Sequence, residues 1–188
     1  MVKKIVVKKN EEKIFPFVWI DGKEKEVSIN ATLLEGASLQ ILGVFLGTKN
    51  NAMTFNTNVV HKGKKTKSLT TLRGVFLNNS SFNNDGMVHI KKGASGADGY
   101  FTSKILLFDD AKGRSVPSLE IDENDLKAGH ASTVGRPDKE QLFYLQSRGL
   151  SEKEAEKLIV SGFFEPILLM LPKNDQEKTR TQLAAAIQ

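Results

Sequence analysis

Residues 43–60, GVFLGTKNNAMTFNTNVV, hold in order a short apolar run, an Asn-rich corner and a run in which apolar and polar residues alternate. Alternation with a period of two suits a half-buried strand, because successive side chains point to opposite faces of a sheet. Gly and Asn at the corner tolerate the positive φ of a tight reversal. The pattern recurs. GVFLG begins at Gly43, GVFLN at Gly74 and GYFTSKILLF at Gly99, so the spacings are 31 and 25 residues. Repeats of that length built from short strands and Gly/Asn corners suggest a β-solenoid, whose stacked coils pair strands in parallel about 4.8 Å apart. An antiparallel sandwich with coincidental similarity satisfies the same pattern, and the repeats alone leave both open.

Outward from this stretch the punctuation stays β-like as far as Gly135. EVSINATL (26–33) alternates in the same way, and NNSSFNNDG (78–86) and KKGASGADG (91–99) are further corners. No segment before residue 137 carries a 3.6-residue apolar period. After Arg136–Pro137 the period changes. Asp138 with Gln141 three residues on predicts a helix start, and Gly149 a stop. Ser151 with Glu154 predicts a second capping box, with Ala155, Leu158, Ile159 and Phe163 on one stripe. Leu142, Phe143, Leu145, Leu158 and Ile159 are expected to be buried against each other or against the last coil. Pro166 should kink or end the second helix, and a short third helix with a frayed polar end should follow. The division is residues 1–136 as the β region and 137–188 as the helical region.

Composition removes several kinds of chemistry. With no cysteine there are no disulfides, thiolate ligands or cysteine nucleophiles. Neither GxxxxGK[ST] nor GxSxG occurs, so phosphate-loop and serine-hydrolase chemistry lack support. A formal charge of +5 is mildly basic, and the basic run HKGKKTK (61–67) has no interleaved aromatics for base stacking, so a solvated loop is expected rather than a nucleic-acid surface. MVKKIVVKKNEEK makes a poor signal peptide, and no apolar run approaches the roughly 20 residues of a bilayer span. A cytoplasmic protein without membrane association is the expectation.

Three histidines remain. Read as a strand, residues 126–134 put His130 on the same face as Leu126, Ala128, Ser132 and Val134. A packed histidine satisfied by a neighbouring hydroxyl or carbonyl fits that parity, and so does a neutral imidazole offered to a metal. No HxH or HxxxH spacing supports a closed metal site within one chain, and His61 and His89 stand alone. Asp109–Asp110 reads as a turn and Glu120 with Asp122 as a solvated strand face. The competing reading is a carboxylate pair of a carbohydrate-binding or carbohydrate-cleaving β-helix.

Residues 118–168, SLEIDENDLKAGHASTVGRPDKEQLFYLQSRGLSEKEAEKLIVSGFFEPIL, resemble the C-terminal signature of the SufB/SufD family of the SUF iron–sulfur cluster assembly system. The resemblance lies in the Pro117–Leu119–Glu120–Ile121 strand, the GHASTVG turn around His130, the LFYLxSRG helix and the SxxEA helix start. It implies a right-handed parallel β-helix followed by a small helical domain that docks a SufC-type ABC ATPase. Tyr144, Arg148, Lys153 and Lys157 are then the docking candidates. It also implies pairing with a SufB-like subunit, or a second copy, through the β-helix ends. His130 becomes a candidate cluster ligand or relay there, with any iron–sulfur cluster held only transiently at the interface and none in the isolated chain. The absence of cysteine, and Ala131 where SufB-type members have glutamate, make the chain SufD-like. It is less than half the family's usual length, short of an N-terminal helical region and several coils, and Pro166 interrupts a helix that is usually continuous. A non-catalytic partner subunit is the resulting expectation, with no catalytic residues and no firm metal site.

Overall fold

The computed structural model describes residues 1–187, whose ten strands alternate between two five-stranded sheets. Strands β1 (Val2–Val7), β3 (Glu26–Leu33), β5 (Ala52–His61), β7 (Ser81–Ile90) and β9 (Lys112–Ile121) form the odd sheet in that order. The even sheet is β2 (Glu12–Ile20), β4 (Ser38–Gly47), β6 (Lys67–Phe76), β8 (Ala97–Leu107) and β10 (Leu126–Gly135). Every strand pairs in parallel with the strand two before or after it. This is a parallel β-solenoid of five coils, and the antiparallel sandwich is excluded. The sequence echoes identified the right neighbours at a shifted register. Gly43 lies opposite Leu72, two residues short of Gly74, and Gly99 lies opposite Ser68, six short of Gly74. Both shifts are even, so each residue keeps its face.

The corners explain how the coils turn. Asp21, Lys49, Asn78 and Asp109 follow successive even strands and all have positive φ, between 46° and 59°. Each is tied to the next. Asp21 accepts hydrogen bonds from the Thr48 amide and from Asn51 Nδ2, both at 2.7 Å; Asn78 Oδ1 accepts from the Lys49 amide at 3.0 Å; Asp109 accepts from the Asn78 amide at 2.8 Å. At the opposite corner Asn10, Gly36, Lys65 and Gly96 repeat the positive φ, and their amides donate to carbonyls of the following coil. The lysines are the surprise, since a left-handed lysine costs about 1 kcal/mol or more.

Inward-facing residues fill the lumen: Ile29, Ile41, Phe45, Phe55, Phe76, Phe82 and Phe101 are all buried, and Phe45 packs in tilted contact between Phe55 and Phe82 at ring distances of 4.9 and 5.0 Å. His61 also points inward. Its Nδ1 meets Thr66 Oγ1 and its Nε2 meets Ser68 Oγ, both at 2.8 Å, and burial pushes its pKa down to about 4. The two strand prolines, Pro16 and Pro117, lie in β2 and β9, edge strands of their sheets where a missing donor costs no ladder bond.

Helices α1 (Lys139–Ser147), α2 (Glu152–Leu168) and α3 (Lys173–Ala186) follow. Asp138 caps α1 by accepting from the Glu140 amide, and Ser151 with Glu154 forms the expected capping box. The helices do not cap the end of the solenoid. α2 and α3 lie along its flank, where Val160, Phe164, Ile167, Leu168 and Leu183 form a second core with Leu42, Val44, Leu46 and Val75 from the outer face of the even sheet. Arg73, pointing outward from β6, donates to the Phe163 carbonyl and pins α2 to the sheet. The expected burial stripe is corrected by this docking. Phe143 and Leu158 are 72% and 51% exposed, and α1 buries no residue completely. In α2 the buried line is Ala155, Val160, Phe164, Ile167 and Leu168. A 3.6-residue period defines a broad apolar face, and a flat sheet selects its centre. α2 continues two residues past Pro166 before ending, and α3, at 14 residues, is longer than expected.

Candidate functional site

The last coil, β9 and β10, forms one open end of the solenoid, as β1 and β2 form the other: among the described residues no strand pairs with the far side of β9 or β10. His130 sits in β10 opposite Phe101. It is on the lumen side with Leu126, Ala128 and Val134, as its parity required, and those three pack against the interior cluster. Yet His130 is exposed, because no further coil stacks over it. The packed histidine satisfied by hydroxyls is His61 instead.

Around the open end the lumen becomes polar. Ser132 lies opposite Ser103 and donates to the Ser115 carbonyl at 3.4 Å, and Ser115 Oγ donates to Asn84 Oδ1 at 3.1 Å. Ser103 Oγ and, deeper in, Thr57 Oγ1 are buried without partners. The rim therefore offers one accessible imidazole beside hydroxyls. One nitrogen donor cannot close a metal or cluster site, so any cluster handled here needs ligands from a second surface.

Of the helical candidates, Tyr144, Arg148, Lys153 and Lys157 are all exposed. Tyr144 and Arg148 are adjacent, with the guanidinium 5.2 Å from the ring centre. Tyr144 also lines a groove of about 680 Å³ between α1 and α2, floored by Leu145, Ile159, Phe163 and Leu106 and rimmed by Leu158.

The structure assembles one cluster that the linear pattern concealed. β7 and β9 pair so that His89 faces Glu120, one coil length on. His89 Nδ1 lies 3.4 Å from Glu120 Oε2 and its Nε2 lies 3.1 Å from Asp122 Oδ2. His89 had looked isolated, and the two carboxylates had looked like a solvated face. The offset between β7 and β9 is 31 residues whereas that between β4 and β6 is 29, so the sequence echo alone did not fix this pairing. Asp109 is the corner residue already described, as its turn reading required.

No described helix is long and apolar enough to cross a membrane. Residues 21–163 match the family model described as SUF system FeS cluster assembly, SufBD core domain. The iron-sulfur cluster assembly protein SufD of Bacillus subtilis is 37% identical over 146 residues, covering 77% of this chain and 33% of that protein. Iron-sulfur cluster assembly SufBD family proteins of Staphylococcus epidermidis and Staphylococcus haemolyticus are each 31% identical over 160 residues, covering 82% of this chain and 34% of theirs. The chain thus spans about a third of the length of these curated relatives.

Proposed function

Because the chain belongs to the SufBD core family of the SUF iron–sulfur cluster assembly system, we propose that it acts as a SufD-like, non-catalytic partner subunit in the cytoplasm. It docks a SufC-type ATPase through α1 and α2, and meets a SufB-like chain or a second copy through the open end of the solenoid. The observation that carries this reading is the apolar face left bare on the helices. Tyr144 and Leu158, 56% and 51% exposed, line one groove; Arg148 lies against the Tyr144 ring, and Phe143, 72% exposed, adds apolar surface on α1 outside the groove lining. Aromatic residues and arginine around a groove are the composition of an interface centre.

The packing supplies a route for work. α2 is joined to β4 and β6 through Val160, Phe164 and Ile167, and Arg73 holds the Phe163 carbonyl. Displacement of α2 by an ATPase moves the even sheet, whose edge strand β10 carries His130. The iron–sulfur cluster is cargo in this scheme. His130 offers one nitrogen to it, and the partner supplies the thiolates this chain lacks.

The test is capture of the cognate SufC-type ATPase by the chain carrying Arg148→Glu and Lys153→Glu together. Binding should weaken at least tenfold while the melting temperature stays within about two degrees, as for other surface substitutions. Undiminished capture would remove the docking role from these residues.

A further inference from the structure

We propose that His89, Glu120 and Asp122 form a binding site for a divalent first-row metal ion on the outer face of the odd sheet, separate from His130. One ligand atom from each residue can be chosen so that all three lie within 4.8 Å of one another. Donors around an ion at 2.0–2.2 Å stand roughly 3.0–3.5 Å apart. The two contacts of His89 use different ring nitrogens, Nε2 toward Asp122 at 3.1 Å and Nδ1 toward Glu120 at 3.4 Å. One ion takes only one of them, so one carboxylate already stands at that spacing and the other must rotate toward the same nitrogen.

The donors are held by the fold. His89 projects from β7 with its side chain 10% exposed, and Glu120 projects from the paired position of β9. The Asp122 amide donates to the Ile90 carbonyl at 2.8 Å, which extends the ladder by one residue and fixes the backbone of the third ligand. Both carboxylates remain about half exposed, at 56% and 46%, so an ion has an entry path.

Charge points the same way. Among the described residues no lysine or arginine pairs with Glu120 or Asp122, whereas Asp85, on the same outer face, is paired with Arg114 at 2.9 Å. Two carboxylates converge on one imidazole with no basic side chain beside them, an arrangement that a bound cation completes. One imidazole with two carboxylates suits Zn²⁺, Mn²⁺, Fe²⁺ or Co²⁺, and without a thiolate it disfavours Cu⁺. Beside His89 and Glu120 lies a polar groove of about 360 Å³, lined by Asn58, Met87 and Ser118. Water from it completes the coordination, so the ion exchanges readily.

The experiment is titration of the metal-free chain with Co²⁺, followed by visible absorption, and with Zn²⁺, followed by calorimetry. One equivalent should bind, with Co²⁺ bands of a nitrogen–oxygen site. His89→Gln and Asp122→Asn should each weaken binding at least tenfold with unchanged circular dichroism, and His130→Ala should leave it intact. Absence of stoichiometric uptake, or equal uptake by His89→Gln, would overturn the site and leave His89 as a hydrogen-bonding neighbour of the two carboxylates. Loss on His130→Ala alone would place the ion at the open end instead.

Discussion

The two sheets of the solenoid have similar strand lengths and share one lumen, yet their outer faces have opposite fates. Outward residues of the even sheet, Leu42, Val44, Leu46 and Val75, are fully buried beneath α2 and α3. Outward residues of the odd sheet, among them Asn56, Asn58, Asp85 and Glu120, face solvent or a shallow polar groove. The difference can be seen in the strands. β4 carries the unbroken apolar run ILGVFL, as a strand buried on both faces does, while β3 and β5 alternate. One side of the solenoid is a structural wall, and the other is where a polar cluster such as His89–Glu120–Asp122 can remain accessible.

The largest effect expected from this contrast comes from removing the helical cover. Phe164 is 1% exposed against the even sheet, and Phe164→Ala should destabilise the chain by about 3–5 kcal/mol in urea unfolding. A loss below about 1 kcal/mol would mean that the helices rest on the sheet without contributing to its stability.

The next effect separates inside from outside. His61 faces the lumen, and its folded pKa of about 4 lies below the unfolded value of 6.5. The unfolded state therefore takes up a proton that the folded state resists. Stability from this group is complete above pH 6.5 and is lost as pH falls toward 4, at about 2 kcal/mol between pH 7 and pH 5. Comparing urea unfolding of the parent chain with that of His61→Gln at the two pH values isolates this contribution. Equal slopes would show that His61 is protonated within the fold.

The smallest effect belongs to the bare face. Asn58→Ser lies on the outer side of β5, and its stability should change by no more than about 0.5 kcal/mol. A larger loss would mean that the odd sheet's outer face is part of the structural frame and would blur the distinction between the sheets.

Much of the fold was legible in the residues because the signals were local. Period-two alternation marked the strands, Gly and Asn marked the corners, and Asp138 and the Ser151–Glu154 box marked two helix starts. The misses share a cause. Lys49 and Lys65 occupy left-handed corners because neighbouring coils hold them there, which their own chemistry does not advertise. The buried line of α2 is set by the sheet it meets. The helices also pack on the flank of the even sheet rather than on the last coil, and the apolar run of β4 hinted at that only together with Val75 of β6.

Which side of each strand faces inward could be read from the residues alone, because strand parity is a property of the backbone and survives even shifts of register. The sequence placed His130 on the lumen side and identified the segment 118–168 by which the family can be recognised. That His130 is open to solvent emerges from the folded coils, because exposure depends on whether another coil stacks above it. Only the tertiary structure brought His89 to Glu120 and Asp122, because that meeting depends on the exact length of one coil. Parity is written every two residues, whereas register accumulates over some thirty, so a single extra corner residue changes the partner.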